Sequence, residues 1–342
     1  MPQIHMGNTV TSENAKELPT SEQLLGMYER MLLIRGVEKQ LSADFKAGQL
    51  PGAVHLYVGQ EAVAVGMCEH LHDSDWITGT HRGHGHYLAK GGDPRPMLAE
   101  IYGKANGICQ GMGGSMHVAD FSKGIVGANG IVGGGLAITA GAALAANLEA
   151  KGQVAVCFFG DGAANQGVFM ETLNVSTLWG LPMIFMCEHN TYSEFSPTDT
   201  VTAGELADRA RAFGMPCTVV DGNDVTEVWK AAGAAVARAR DGDGPSFIEA
   251  KTYRIHGHIE AEVHFLSSTY RDEEEIERWR QRDPIDRLKA QLLSSGAADD
   301  AALEEIGTRV QEEVTAAEEF AQAGAPASET LVFDLMSVGQ NH

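Results

Sequence analysis

Apolar residues recur about every 3.6 positions in the stretch SEQLLGMYERMLLIRGVEKQLSADFKAG, which begins at residue 21. They are Leu24, Leu25, Tyr28, Met31, Leu32, Ile34 and Val37. This spacing, opened by a serine of the kind that favours a helix N-terminus, predicts one long helix over residues 21–46. The polar residues that precede it, 1–20, carry no such pattern, and we expect them to form a flexible leader.

Three stretches depart from any helical or strand period. In PGAVHLYVGQEAVAVGMCEHL, from residue 51, and DWITGTHRGHGHYLAKG, from residue 75, short apolar pieces alternate with glycine and histidine, and we expect loops lining a site. The third, residues 107–135, is extremely rich in glycine. It is either a flexible linker or part of the site, and its direct run into an alanine-rich helix favours the site.

From residue 136 onward, helical patterns alternate with short apolar strands. Helices are predicted over 136–152 and about 165–179, 203–213 and 224–242. Strands are predicted over 153–160, 182–190, 216–222 and 245–254. This alternation predicts an α/β fold with a parallel sheet flanked by helices on both faces. Because the pattern becomes helical and charged further on, we divide the chain into an α/β domain, 21–270, and a helical C-terminal region, 271–342.

Composition narrows the classes of partner and compartment. The 46 acidic residues outnumber the 25 basic ones, and the net charge of −21 disfavours nucleic acid and anionic membrane surfaces as partners. The five cysteines form no CxxC pair, which indicates a reducing compartment. Neither a signal peptide nor a membrane-spanning apolar run is present, so we expect a cytoplasmic protein.

A negative charge stands where a strand meets a glycine turn, in VAVCFFGDGAANQG. At the carboxyl edge of a parallel sheet, such a turn offers backbone N–H groups to phosphate. The turn fails the GxGxxG dinucleotide pattern because position 165 is Asn, and Asp161 would repel a pyrophosphate. That repulsion disappears only if a cation lies between the two.

The next strand ends in Glu188, His189 and Asn190, at the same sheet edge. Carboxylate, amide and main-chain oxygens suit Mg²⁺, which completes its shell with water and phosphate oxygens. The pattern therefore predicts a Mg²⁺-bridged diphosphate. The alternative is that Asp161 caps the following helix and Asn190 occupies a turn, and spacing alone leaves both open.

The GDG motif followed by Asn about thirty residues later resembles the thiamine-diphosphate signature of the α subunits of 2-oxoacid dehydrogenase E1 components. The resemblance extends over most of the chain, through PGAVHLYVGQEAVAVG, THRGHGHYLAKG, GGSMHVAD, GANGIVGGGLAITAGAALA and TYRIHGH. HRGHGHYLAKG and YSEFSP are more similar to acetoin dehydrogenase α subunits than to pyruvate or branched-chain ones. The resemblance implies the diphosphate-binding half of the thiamine-diphosphate-binding fold.

The resemblance also implies roles for particular residues. Mg²⁺ would be bound by Asp161, Asn190 and the main-chain carbonyl of Tyr192. The cofactor's diphosphate would meet the backbone of Gly162 and Ala163, the side chains of Arg82 and His258, and His81, which stands where relatives often carry Tyr. The aminopyrimidine would meet Gly130 and Val132.

Histidines are the candidates for acid–base catalysis near the substrate, because imidazole titrates near neutral pH. His55 matches a position that faces the substrate, and His84 and His258 are the other candidates for catalysis, with His256 as a further one.

The implied reaction cleaves the C–C bond of acetoin and passes the acyl group to a lipoyl acyltransferase, the E2 component. Alternatives are pyruvate, a branched-chain 2-oxoacid or another acyloin as substrate, or an α-like subunit that binds cofactor without turnover. One phosphate-binding unit is too short to hold the pyrimidine half as well. The family therefore implies a β subunit that supplies the activating glutamate, in an α₂β₂ heterotetramer.

A zinc site is the competing interpretation, because histidines cluster in HRGHGH and HGH. Its candidate ligands are His81, His84, His86, His256, His258 and His264. Loop-like glycine spacing and the absence of a carboxylate or cysteine at regular ligand distance count against it. Three features depart from the family: His189 replaces an Asn, Ile259 replaces a regulatory serine, and residues 259–269 differ in sequence.

Overall fold

A computed structural model of the chain describes residues 18–336. The predicted flexible leader, 1–20, lies almost wholly outside this range. The long first helix is confirmed: α1 spans Ser21–Lys46. Its cap is Thr20, whose hydroxyl accepts a hydrogen bond from the backbone N–H of Gln23, while the Gln23 side chain accepts one from the Thr20 N–H. This capping box fixes the start of α1.

The centre of the fold is a six-stranded sheet, and every neighbouring pair of its strands runs parallel. Its strands are β1 (Trp76–Thr78), β2 (Ile125–Gly127), β3 (Ala155–Gly160), β4 (Met183–His189), β7 (Cys217–Asp221) and β8 (Ser246–Lys251), in the order β2-β1-β3-β4-β8-β7. A separate antiparallel hairpin follows β4 and consists of β5 (Tyr192–Ser193) and β6 (Ser196–Pro197). The predicted α/β class is confirmed.

Helices cover both faces of this sheet. They are α2 (Glu61–Cys68), α3 (Gly83–Ala89), α4 (Pro94–Ile101), α5 (Gly134–Glu149), α6 (Gly167–Leu178), α7 (Thr198–Val201), α8 (Leu206–Arg211) and α9 (Val225–Arg240). Alternate residues of β3 enter two hydrophobic clusters: Val156 and Phe158 join one, Cys157 and Phe159 the other. Because strand side chains alternate between faces, both faces are buried, as in sheets with parallel crossovers.

The prediction of loops is wrong for two segments, which contain regular secondary structure. The first contains α2, and the second contains β1 and α3. Every residue of α2 and of α3 is buried, so neither helix has a polar face from which a helical period could be read. The glycines of α3 serve close packing, since a Cβ on Gly85 would collide with the Tyr57 ring.

The C-terminal helices are α10 (Glu273–Arg280), α11 (Pro284–Ser295), α12 (Asp300–Ala323) and α13 (Leu331–Met336). Leu288 of α11 and Val310 and Val314 of α12 join the same hydrophobic cluster as α1. The domain boundary at residue 270 stays a prediction. Among the described residues, no helix combines the length and apolarity that crossing a bilayer requires.

Candidate functional site

A cavity of about 350 Å³ opens at the carboxyl edge of the sheet, within the size range of small-molecule sites. Its walls come from the ends of β1, β3, β4 and β8 and from the segment that leads into α5. The sequence-predicted residues among its lining are His55, His81, Arg82, Gly130, Val132, Asp161, Gly162, Ala163, Asn190, Tyr192 and His258. Parallel strands thus bring distant segments to one place.

The turn after β3 places Asp161 at the cavity, where the side chain is only 1% exposed. Its Oδ2 accepts a hydrogen bond from the Thr198 hydroxyl and lies 3.8 Å from Nε2 of His189. Helix α6 begins beyond this turn, with Gln166 at its cap position and no side-chain cap bond. Asp161 therefore does not cap α6, and the part of the alternative that assigned Asp161 to a helix cap is wrong.

Gly162 follows Asp161 at a point of close backbone approach. A Cβ there would collide with the side chain of Ser193 in the β5–β6 hairpin. Only glycine fits between the turn and the hairpin. Gly162 and Ala163 both line the cavity.

The end of β4 brings an amide into the same cavity. Asn190 is buried, its Nδ2 donates to Oε1 of Gln60 at 2.9 Å, and its Oδ1 accepts from the Tyr192 N–H at 3.3 Å. Thr191 and Glu194 both have positive φ, 70° and 55°, which turns the hairpin back so that Thr198 reaches Asp161. The cavity thus contains a carboxylate and an amide oxygen.

The two residues before Asn190 have other partners. Glu188 accepts a hydrogen bond from the Tyr57 hydroxyl, and its Oε1 lies 2.9 Å from Nε2 of His86. Neither Glu188 nor His189 is among the cavity-lining residues. Nδ1 of His189 lies 2.7 Å from the buried carboxylate of Glu249, which holds the imidazole behind Asp161.

Two buried guanidiniums supply positive charge at the site. Arg82 is 3% exposed and Arg254 is 2% exposed, and neither has an ion-pair partner among the described residues. Nη1 of Arg82 donates to the Leu56 carbonyl at 2.9 Å, and Nη2 of Arg254 donates to the Glu194 carbonyl at 2.8 Å. Burial, followed by the charge of Arg254, lowers the pKa of Arg82. Paired cations without a carboxylate suit an anionic ligand.

Three imidazoles complete the wall: His55, His81 and His258, whose ring centroids lie 4.7–5.3 Å apart. Burial, followed by the charge of Arg82, lowers the pKa of His55 to about 3 and that of His258 to about 2. The pKa of His81 is also well below its usual value, for the same two reasons. All three rings are therefore neutral at physiological pH.

These three histidines also form a group whose ligand atoms lie within 4.8 Å of one another, the spacing of a metal site. The guanidiniums of Arg82 and Arg254 each lie 3.0 Å from Nδ1 of His258. Since a guanidinium only donates, Nδ1 accepts and Nε2 carries the proton. A metal would have to displace that proton beside two positive charges, so the arrangement disfavours zinc and favours an anion.

His84, proposed as catalytic, does not line the cavity. It is fully buried, with Nδ1 3.2 Å from Oε1 of Glu38 and Nε2 3.0 Å from Oγ of Ser115. Both ring nitrogens have partners outside the cavity and link neighbouring segments, so a catalytic role for His84 stays a prediction without support from the cavity lining. His256 also lies outside the lining, with Nδ1 3.2 Å from Glu260.

Arg254 was not among the predicted site residues. It stands three residues beyond β8, inside TYRIHGH. A basic residue at the carboxyl end of a buried strand was the available signal, because that position reaches the same sheet edge as Asp161.

Known proteins are similar in sequence to most of this chain. The family model of the dehydrogenase E1 component matches residues 29–329. The α subunit of an acetoin:2,6-dichlorophenolindophenol oxidoreductase from Bacillus subtilis is 50% identical over 89% of this chain and 90% of its own length. The protein of the same description from Cupriavidus necator is 46% identical over 93% and 94%.

A pyruvate dehydrogenase E1 component α subunit from Zymomonas mobilis is 40% identical over 92% of this chain and 89% of its own length. The family match covers most of the chain, including every segment that forms the cavity. This chain therefore belongs to the dehydrogenase E1 component family.

Proposed function

We propose that this chain is the α subunit of a thiamine-diphosphate-dependent E1 dehydrogenase that cleaves the C–C bond of acetoin. The observation that carries the proposal is one cavity at the sheet edge that contains both buried oxygen donors and two buried guanidiniums without a carboxylate partner. The oxygen donors suit a divalent cation and the guanidiniums suit phosphate oxygens. A magnesium diphosphate presents both chemical groups.

The residues present fit this cofactor. Asp161, Asn190 and the main-chain carbonyl of Tyr192 would bind Mg²⁺, and Arg82, Arg254 and His258 would contact the diphosphate. The backbone of Gly162 and Ala163 borders the cavity, where a side chain at Gly162 would meet Ser193. When bound, thiamine diphosphate supplies a carbon nucleophile and an electron sink for breaking the bond next to a carbonyl.

This chain's own contribution to the chemistry centres on uncharged histidines. Nδ1 of His55 and Nε2 of His81 are buried and lack a hydrogen-bond partner within the described part of the chain. Each is therefore available to form a hydrogen bond with an oxygen of the substrate. Burial, followed by the charge of Arg82, lowers the pKa of both rings and keeps them neutral, so each has one donating and one accepting nitrogen.

A β partner is the second part of the proposal. On the side of the cavity assigned to the aminopyrimidine, Ile131 is 73% exposed and Val132 is 51% exposed. Apolar side chains at the rim of a binding site favour cover by another polypeptide. We assign that cover to a β subunit in an α₂β₂ assembly, with a lipoyl acyltransferase receiving the acyl group in the cytoplasm.

Acetoin is proposed as the substrate because two relatives at 46–50% identity are described as acetoin oxidoreductase subunits. The second candidate is pyruvate, which is favoured by the relative at 40% identity.

The test is to co-express the chain with its β partner and to measure dye reduction with acetoin, pyruvate and branched-chain 2-oxoacids. We expect the highest kcat/KM with acetoin, and only when thiamine diphosphate and Mg²⁺ are both present. A preference for pyruvate would replace the substrate assignment. Cofactor binding without turnover of any of these substrates would overturn the enzyme assignment.

A further inference from the structure

The glycine-rich segment that follows α4 is folded around one buried carboxylate. Glu100, the penultimate residue of α4, has no exposed surface. Its Oε2 accepts hydrogen bonds from the backbone N–H groups of Cys109 at 2.8 Å and Gly111 at 2.7 Å. Its Oε1 accepts from Gly113 at 2.6 Å and Gly114 at 3.1 Å. Four N–H donors from six consecutive residues therefore converge on one side chain.

The glycines in this segment are required by that arrangement. A Cβ on Gly107 would lie 2.6 Å from Cα of Glu100, and one on Gly113 would lie 2.7 Å from the His117 carbonyl oxygen. Gly111 and Gly114 adopt φ of 79° and 61°, a region that disfavours side chains. This part of the segment is ordered around Glu100 and is no flexible linker.

The segment leads directly into the cavity wall. Met116 lines the cavity, and a Cβ on Gly130 would lie 3.7 Å from Sδ of Met116 and 3.6 Å from Nε2 of His117. Nδ1 of His117 lies 3.2 Å from the Gly113 carbonyl oxygen, inside the Glu100 loop. Met116 and His117, which follow the loop, therefore lie beside Gly130 at the cavity wall.

We propose that Glu100 is a positioning residue of the cofactor site. Its carboxylate orders residues 109–114, and this order holds Met116 and His117 against Gly130, where the cofactor's ring is received. The inference rests on the proposed function, because the ligand of the Gly130 wall is the thiamine cofactor. Glu100 itself touches neither cofactor nor substrate.

The chemistry explains why a carboxylate is needed. Both carboxylate oxygens accept, and together they offer about four lone-pair directions, matching four N–H donors. A glutamine would keep one accepting oxygen and turn an NH₂ group toward two N–H donors, leaving those donors partly buried and unpaired. The loop would then open to bind water, and Met116 and His117 would no longer be held beside Gly130.

The experiment compares the wild-type chain, Glu100→Gln and the control Glu312→Gln, each co-expressed with the β partner. Glu312 is an exposed residue of α12 outside the site. Hydrogen exchange of residues 107–117 is measured without cofactor, and thiamine diphosphate affinity is measured by calorimetry with Mg²⁺. Dye reduction at saturating cofactor gives kcat.

We expect Glu100→Gln to raise the exchange rate of the loop amides and to weaken cofactor affinity, each by about tenfold, with kcat at saturation within about twofold of wild type. A merely structural loss would instead lower the active fraction and kcat at unchanged affinity. Wild-type loop exchange and wild-type affinity in Glu100→Gln would overturn the inference.

If Glu100→Gln fails to fold, the same measurements are made on Glu100→Asp, which keeps the charge but is too short to reach all four donors. A folded Glu100→Asp with wild-type exchange and affinity would equally overturn the inference. Failure of the wild-type complex to bind thiamine diphosphate would refute the proposed function. The exchange rates measured without cofactor would still show whether Glu100 orders the loop, so the two failures are distinguishable.

Discussion

At the scale of single residues, Arg254 combines burial, positive charge and the lack of a carboxylate partner among the described residues. Burial of such a charge costs free energy in the empty protein and is compensated only when an anion binds. A residue that destabilises the empty site and strengthens the loaded one is expected at a functional position.

Replacing Arg254 by Met should therefore separate stability from binding. We expect thiamine diphosphate affinity to fall at least tenfold, because a hydrogen bond to a charged group contributes about 1.5–3 kcal/mol. The unfolding free energy of the cofactor-free chain should stay unchanged or rise. Calorimetry and urea denaturation check the two quantities, with Arg309→Met, an exposed residue paired with Glu29 at 2.9 Å, as control. Equal loss of stability and affinity would contradict this role.

The neutral state of His55 should make the free energy of unfolding depend on pH. The pKa of His55 is lowered from 6.5 to about 3, so the unfolded chain takes up a proton that the folded chain refuses once pH falls below 6.5. Above pH 6.5 the shifted pKa of His55 has no effect on the free energy of unfolding. It destabilises the fold progressively as pH falls from 6.5 toward 3, by about 2 kcal/mol at about pH 5.

His55→Asn should remove this penalty. Between about pH 7.5 and pH 5, the wild-type chain should lose about 2 kcal/mol more unfolding free energy than the variant, measured by urea denaturation. The exposed His264 supplies a control, since His264→Asn should keep the wild-type pH dependence. Parallel pH profiles for wild type and His55→Asn would show that His55 is not held neutral.

At the scale of elements, close helix contacts account for glycines that the sequence did not explain. Gly66 of α2 faces α9, where a Cβ would lie 2.8 Å from Cγ1 of Val228 and 3.1 Å from the backbone nitrogen of Trp229. In α12, Gly307 has no atom within 4 Å of the same position. These two glycines sit in helices but differ in what surrounds them.

Substitution by alanine should change the stability in opposite directions at Gly66 and Gly307. Gly66→Ala should destabilise the chain by about 1–3 kcal/mol, because the helices must separate. Gly307→Ala should stabilise it by about 0.5–1 kcal/mol, because alanine restricts the unfolded chain and favours helix. Thermal or urea denaturation of both variants checks this, and destabilisation by Gly307→Ala or none by Gly66→Ala would contradict the packing described.

Elements were predictable where local sequence and burial pattern agreed. In helix α1 buried residues recur about every three or four positions and a capping box marks the start, and its predicted bounds, 21–46, match the structure. The four predicted strands from residue 153 onward were each found within three residues. Helices α2 and α3 were missed because they are buried on all sides, and the helix predicted over 203–213 is only Leu206–Arg211.

At the scale of the whole molecule, the parallel sheet explains why the site could be predicted in part. Motifs at the ends of β3 and β4 indicated Asp161 and Asn190, since strand order brings such ends together. Side-chain direction was not readable from motifs. His84 points into a buried network and Arg254 points into the cavity, and only tertiary packing decides this.

The distribution of charged and apolar residues over the molecule bears on cofactor binding and assembly. The chain has 25 basic residues against 46 acidic ones, and two of the basic residues, Arg82 and Arg254, are buried at one cavity. The chain therefore concentrates positive charge where the proposed diphosphate binds. Hydrophobic residues at the rim of that cavity, Ile131 and Val132, stay exposed for the proposed β partner.

In the proposed function, Asp161 would bind the diphosphate through Mg²⁺. The most direct measurement is calorimetric titration of thiamine diphosphate into the co-expressed complex, with and without Mg²⁺, for wild type and Asp161→Ala. Asp199→Ala, an exposed neighbour of Thr198, is the control. We predict Mg²⁺-dependent binding for wild type and control, and for Asp161→Ala a loss of about a hundredfold in affinity together with the Mg²⁺ dependence. Binding by Asp161→Ala with wild-type affinity and wild-type Mg²⁺ dependence would contradict the account.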